Sequence, residues 1–172
     1  MGKTYIVDLV SLMENSEEKA YSTKFKELTE LKNFIGKELG LTKWMQMSQE
    51  KIDDFAKITD DQQWIHTDPK KSALYSPYKK TIAHGFLTLS LLASQDLQIS
   101  AVKSVTRGIN YGSNKVRFTN MVPVDSRIRL RNTLKSAEPK AGGTLFTNEV
   151  KIEVEGQEMP ALVAESLTLL FE

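Results

Sequence analysis

The sequence predicts an α+β fold, with an antiparallel sheet laid against one buried helix. Two observations carry this. Residues 81–96 hold apolar side chains on nearly every helical face, and beyond residue 103 the apolar period changes from 3.6 to 2. A helix that is apolar almost all round must be enclosed, and a sheet with one apolar face can enclose it. The length of 172 residues, with 40% hydrophobic and 26% charged side chains, fits one domain with a sizeable core.

Residues 1–22 read as an extension, with an apolar patch from Tyr5 to Val10 and a polar run from Glu14 to Lys19. Residues 23–172 read as the domain. Phe25, Leu28, Leu31 and Ile35 recur at helical spacing and predict a helix from Lys24 to Lys37, ended by Gly36 or Gly40. Ser48 is placed to cap a helix from Gln49 to about Ile58, with Ile52, Phe55 and Ile58 on its apolar face. The polar stretch Asp60 to Pro69 ends in Asp-Pro and predicts a loop or turn. The buried helix follows, from about Thr81 to Asp96. Its stripe of Ile82, Phe86, Leu89 and Ala93 is joined by Leu87, Leu91 and Leu92 on other faces.

Strand patterns fill the second half. Phe146, Val150, Ile152 and Val154 face one way; Leu145, Thr147, Glu149, Lys151 and Glu153 face the other. Val163, Leu167, Leu169 and Phe171 repeat the pattern, and Ile128 and Leu130 alternate with Arg127, Arg129 and Arg131. Turns are expected at Met121–Asp125, Glu138–Gly143 and Glu155–Pro160. The arginine stripe could meet the phosphates of a nucleotide-bearing substrate, but a solvated sheet face is the favoured reading.

Composition narrows the function. A net charge of +1 gives no global field for nucleic acid or a membrane surface. The absence of cysteine removes disulfides, thiolate metal sites and a cysteine nucleophile. Asp8 interrupts the N-terminal apolar run, so it makes a poor signal peptide. The longest charge-free segment, residues 81–95, is shorter than the about 20 apolar residues a membrane span needs. A cytoplasmic protein is expected.

Chemistry points to one region. The chain has 2 histidines, His66 and His84, and both fall between residues 60 and 86. Asp61 and His66 are five apart, a spacing that a turn can close and a straight helix cannot. Together they could hold one water and share its proton, since an imidazole titrates near neutrality. Spacing alone favours the plainer reading, in which Asp61 caps a turn and His66 packs beside Trp64. Gly85 stands at the start of the buried helix, where first-turn amides lack intrahelical partners and can stabilise developing negative charge. On its own, Gly85 is better explained by tight helix–sheet packing, and His84 by fixing the start of the helix. The two histidines with Asp61 or Asp68 could be drawn as a metal site, but catalytic zinc usually needs about three protein ligands and no HExxH-like spacing is present, so none is expected. There is no phosphate-binding glycine loop and no G-x-S-x-G elbow.

The segments Asp61-Gln-Gln-Trp-Ile-His66-Thr-Asp-Pro69 and Thr81-Ile-Ala-His-Gly-Phe-Leu-Thr-Leu89 resemble the MaoC-like dehydratases. The resemblance is greatest in the branch of (R)-specific enoyl-CoA hydratases and nodulation-protein-N-like proteins. Asn110-Tyr111-Gly112, Lys115-Val-Arg117-Phe118, Val122-Pro-Val-Asp-Ser-Arg127, Val154-Glu-Gly-Gln and Val163-Ala-Glu-Ser166 extend the likeness over residues 24–172. It implies a hot-dog fold, an antiparallel sheet wrapped around a long central helix, usually paired as a homodimer. It also implies water addition to trans-2-enoyl thioesters to give (R)-3-hydroxyacyl products, or the reverse. Asp61 and His66 would activate the water, and the Gly85 amide would polarise the thioester carbonyl. Trp64, His84, Phe86, Asn110, Tyr111, Gly112 and Arg117 would bind substrate, with the acyl chain in an apolar tunnel. No cofactor is implied beyond coenzyme A as part of the substrate, and an acyl carrier could replace it. One position departs from the family: Asp60 stands where glycine usually precedes the catalytic aspartate. That departure supports an alternative, a non-catalytic hot-dog protein that binds acyl thioesters or acts as a scaffold.

Overall fold

Alternating side chains and tight turns build the sheet. In a computed structural model, which describes residues 18–172, β5 (Arg107–Phe118), β6 (Arg127–Lys140), β7 (Gly143–Val154) and β8 (Leu162–Phe171) form its long strands. The predicted turn at residues 138–143 closes to two residues, Ala141 and Gly142, both at positive φ (49° and 78°). That geometry matches the twist of a paired hairpin. Four short strands complete the sheet: β1 (Tyr21–Phe25), β2 (Glu38–Leu41), β3 (Met45–Gln46) and β4 (Ser100–Val102). The order is β4-β1-β2-β6-β7-β8-β5, with β3 beside β6. Every pairing is antiparallel except β1 with β4.

Five helices lie among the described residues: α1 (Leu28–Lys32), α2 (Gln49–Thr59), α3 (Trp64–Thr67), α4 (Pro69–Tyr75) and α5 (Gly85–Ile99). α5 is the enclosed helix. Leu87, Leu92 and Ile99 are buried in one cluster with Ile128, Leu130, Leu134, Phe146, Val150, Ile152 and Leu162 from the sheet. Among the described residues, no helix is long and apolar enough to cross a membrane. Residues 1–17, most of the predicted extension, lie outside the described part.

Local pattern is overruled in several places. The helix expected over residues 24–37 shrinks to α1, because residues 21–25 pair with β2 on one side and β4 on the other. Hydrogen bonding on both edges outweighs a helical apolar period. Phe25, Leu28 and Leu31 are nonetheless buried, whereas Ile35 is 48% exposed. Ser48 caps α2 by accepting from the Lys51 amide, and Ile52 and Ala56 are buried beneath it. Ile58 is exposed, contrary to its predicted place on the apolar face. The expected loop from Asp60 to Pro69 contains α3 and the start of α4. Asp68 accepts from the Lys71 amide at 2.9 Å and Pro69 occupies the first helical turn. Asp-Pro is a helix start as readily as a turn.

α5 begins at Gly85 rather than near Thr81. The preceding residues are extended, with the Ala83 amide on the Val122 carbonyl and the Val124 amide on the Thr81 carbonyl. In β8 the predicted alternation is displaced by one residue, with no shift of register along its pairing with β7. The register Ile152↔Leu162 and Val150↔Ala164 buries Leu162 and Ala164, while Val163 and Leu167 are only partly covered. A strand apolar on both faces does not declare its parity.

The arginine stripe is not a free solvated face. Arg127 pairs with Glu155 and Arg129 with Glu153, while Arg131 is held by Glu18, Glu38 and Glu153. The Arg129 guanidinium also lies 4.3 Å from the centre of the Trp44 ring. These partners neutralise the stripe.

Candidate active site

The site is built where α2 ends and α5 begins. After Thr59 the chain must reverse, and Asp60 makes the reversal in the left-handed region, at φ 58° and ψ 14°. Aspartate tolerates that region better than most side chains. The residue in the place where the resemblance expects glycine thus adopts left-handed backbone, which glycine favours. Asp60→Val is expected to cost about 1–2 kcal/mol of stability. Asp60→Gly should be close to neutral, because relief of strain is offset by a freer unfolded chain. Denaturant unfolding of the two variants measures both effects.

Asp61 follows, partly buried, with the Gln63 side-chain amide donating to its Oδ1 at 3.2 Å. The short turn of α3 then lifts His66 into the interior, where it is 7% exposed. Its Nδ1 lies 2.7 Å from the Ile82 carbonyl oxygen. A carbonyl only accepts, so Nδ1 carries the proton and Nε2 presents a lone pair. Gln49 on α2 fixes the backbone of His66: its Nε2 donates to the His66 carbonyl at 2.7 Å, while its Oε1 accepts from the Thr81 hydroxyl.

His84 ties the two residues together. Its Nε2 donates to the Asp61 backbone carbonyl at 3.0 Å, and its ring stacks on His66 with centroids 3.7 Å apart. Its Nδ1 is buried without a partner among the described residues. Burial lowers the pKa of His66 below the ordinary 6.5, and the neighbouring His84 adds to this. The Ile82 carbonyl and the Asp61 charge oppose the shift without reversing it. His66 is therefore a neutral imidazole at pH 7, in a state to accept a proton.

Gly85 opens α5 directly after His84, so its amide is among those without an intrahelical acceptor. A Cβ at Gly85 would stand 3.0 Å from the Phe118 ring, so close packing also demands glycine here. Between these groups is a cavity of about 290 Å³ lined by Phe55, Thr59, Asp61, His66, His84, Gly85 and Phe86.

The structure brings together five of the ten residues singled out from sequence: Asp61, His66, His84, Gly85 and Phe86. Asn110 and Gly112 line a second, larger cavity between α5 and the sheet. Trp64, Tyr111 and Arg117 line neither. Trp64 lies under the Lys71 ammonium, Tyr111 under that of Lys140, and Arg117 is exposed and donates to the Val116 carbonyl. Phe55, Thr59, Gln49 and Phe118 belong to the site's surroundings but escaped sequence reading. Gln49, Phe55 and Thr59 come from α2 and Phe118 from β5, and none has a residue type or spacing that ties it to Asp61 and His66.

Asp61, His66 and His84 also form a group, among the described residues, whose donor atoms all lie within 4.8 Å of one another. The ring planes of the two histidines are 26° apart. Stacked rings send their in-plane lone pairs side by side, whereas tetrahedral zinc needs ligands converging at about 2.0–2.1 Å.

A sheet around a buried helix, with a carboxylate and two imidazoles gathered at that helix's N-terminus, defines a hot-dog-fold protein. The family described as "MaoC like domain" matches residues 30–156, and the chain belongs to that family. It is 44% identical over 144 residues to 3-hydroxyacyl-thioester dehydratase Z of Mycobacterium tuberculosis, covering 83% of this chain and 95% of that protein. It is 40% identical over 145 residues to nodulation protein N of Rhizobium leguminosarum bv. viciae, covering 83% and 90%. The X-ray structure of a monoamine oxidase regulatory protein from Archaeoglobus has the same fold, with a TM-score of 0.69 at 19% identity over 88% of this chain and 98% of that one.

Proposed function

We propose that this protein is a hydro-lyase acting on acyl thioesters: it adds water to trans-2-enoyl thioesters, giving (R)-3-hydroxyacyl products, and catalyses the reverse reaction. The observation that carries the reading is the cavity shared by Asp61, His66 and Gly85. The name of the mycobacterial relative, a 3-hydroxyacyl-thioester dehydratase, supports it.

Asp61 and the His66 Nε2 hold one water between them. As its oxygen attacks C3 of the enoyl group, the pair takes one proton and the C2=C3 electrons move toward the thioester carbonyl. The Gly85 amide, at the positive end of α5, stabilises the enolate oxygen. The enolate then collapses, and C2 receives the proton from the same pair. Both additions come from one face, which fixes the stereochemistry of the product.

The thiol carrier is coenzyme A or an acyl carrier, and the working unit is a homodimer. β5 supports the latter: among the described residues it pairs with β8 alone at the end of the sheet and leaves Ile109, Tyr111 and Phe118 between 42% and 48% exposed. An unpaired edge of this kind is a template for another strand.

Hydration of crotonyl-CoA and longer trans-2-enoyl-CoAs tests the activity, and its pH profile tests the base. His66 must be neutral to accept a proton, and its pKa is lowered, so kcat/KM should fall only as pH drops below 6.5. An acidic limb centred above the ordinary histidine value would contradict the role given to His66. Release of free thiol in place of hydration would mark a thioesterase.

A further inference from the structure

The second cavity is larger, about 760 Å³, and lies between α5 and the concave face of the sheet. An acyl chain would call for an apolar lining here, and part of the lining is apolar: Leu89, Leu92, Phe146 and Leu170. Across its middle, however, runs a band of hydrogen-bonding groups. Asn148 on β7 is opposite Ser166 on β8, which is opposite Ser113 on β5. All three line the cavity. Asn132 on β6 continues the band on the same face, two residues out of register with Asn148, and Asp96 of α5 faces it by accepting from the Asn132 amide.

These side chains interrupt strands whose other core positions are apolar: Ile128, Leu130 and Leu134 on β6, and Phe146, Val150 and Ile152 on β7. Asn132 is 0% and Asn148 5% exposed, and the Oδ1 atoms of both lack a partner among the described residues. Unsatisfied buried amides are rare because they are unfavourable, and that of Asn148, on the cavity wall, marks a place where hydrogen bonds are completed by something bound.

We infer that this cavity receives the far end of an acyl chain bearing a hydroxyl group. This rests on the function proposed above. A hydroxyl donates one hydrogen bond and accepts others, which suits the unpartnered amide oxygen on the wall and the serine hydroxyls beside it. Burial raises the Asp96 pKa, against the Asn132 amide, which lowers it, and the Asp96 carboxyl lines the same cavity. Asp96 lies eleven residues beyond Gly85, about 16 Å along α5 at 1.5 Å per residue. At about 1.2 Å per bond of extended chain, that distance corresponds to roughly 14 bonds from the thioester carbonyl.

Calorimetric titration with saturated acyl-CoAs of roughly 8 to 16 carbons, each with and without a terminal hydroxyl, tests this without requiring turnover. The wild-type protein should bind the hydroxylated member about tenfold more tightly at the best length. Asn148→Leu and Asp96→Asn should each reduce that ratio, Asn148→Leu to one or below. Asp96→Asn keeps the side-chain volume and guards against misfolding of the leucine variant. Equal affinities for the two series at every length, or a preference unchanged in both variants, would overturn the inference. Hydration of crotonyl-CoA, measured on the same preparation, reports separately on the proposed reaction.

Discussion

Asp61→Asn and His66→Gln should each lower kcat/KM for enoyl-thioester hydration by about 10³-fold, at an almost unchanged unfolding midpoint. Either change leaves one proton-accepting group beside the water in place of two. Asparagine keeps the shape of Asp61 and can still meet the Gln63 amide, but it cannot take a proton. Glutamine at position 66 can still donate to the Ile82 carbonyl and thereby hold the loop, but it offers no basic nitrogen. Steady-state kinetics together with thermal unfolding separate loss of chemistry from loss of fold. Full activity in either variant contradicts the mechanism.

A second large effect is expected far from the cavity. Gly40→Ala should lower the melting temperature by roughly 4–10 °C. Gly40 lies in β2 where β1 and the last residue of α5 crowd against it. A Cβ there would stand 2.6 Å from the Tyr21 carbonyl oxygen and 3.0 Å from the Ile99 side chain. A backbone oxygen cannot rotate away, so β1 and β2 must separate or α5 must shift. Movement of α5 would also displace Gly85, so activity should fall along with stability. An unchanged melting temperature would show that this corner of the sheet yields easily.

The sequence made the sheet legible where its alternation was strict, as in β7, and made the buried helix legible through its all-round apolarity. It failed where two signals competed. Phe25, Leu28 and Leu31 were read correctly as apolar anchors, but the strand that contains Phe25 is set by its neighbours β2 and β4. The parity of β8 was hidden because both faces are apolar. The arginines of β6 were read as solvated because their carboxylate partners, Glu18, Glu38, Glu153 and Glu155, come from three other stretches of chain. For the site, residue type and clustering picked out Asp61, His66, His84 and Gly85. Phe55, Thr59 and Gln49 are marked only by the way α2 happens to pack. Trp64, Tyr111 and Arg117 stand beside motif positions but turn away from both cavities.

Chiral analysis of the hydration product tests the central claim most directly. With Asp61 and His66 delivering both parts of the water from one side of a substrate held by the Gly85 amide, trans-2-enoyl-CoA should give the (R)-3-hydroxyacyl-CoA alone. A racemic or (S) product, or no water addition at any chain length, would contradict it.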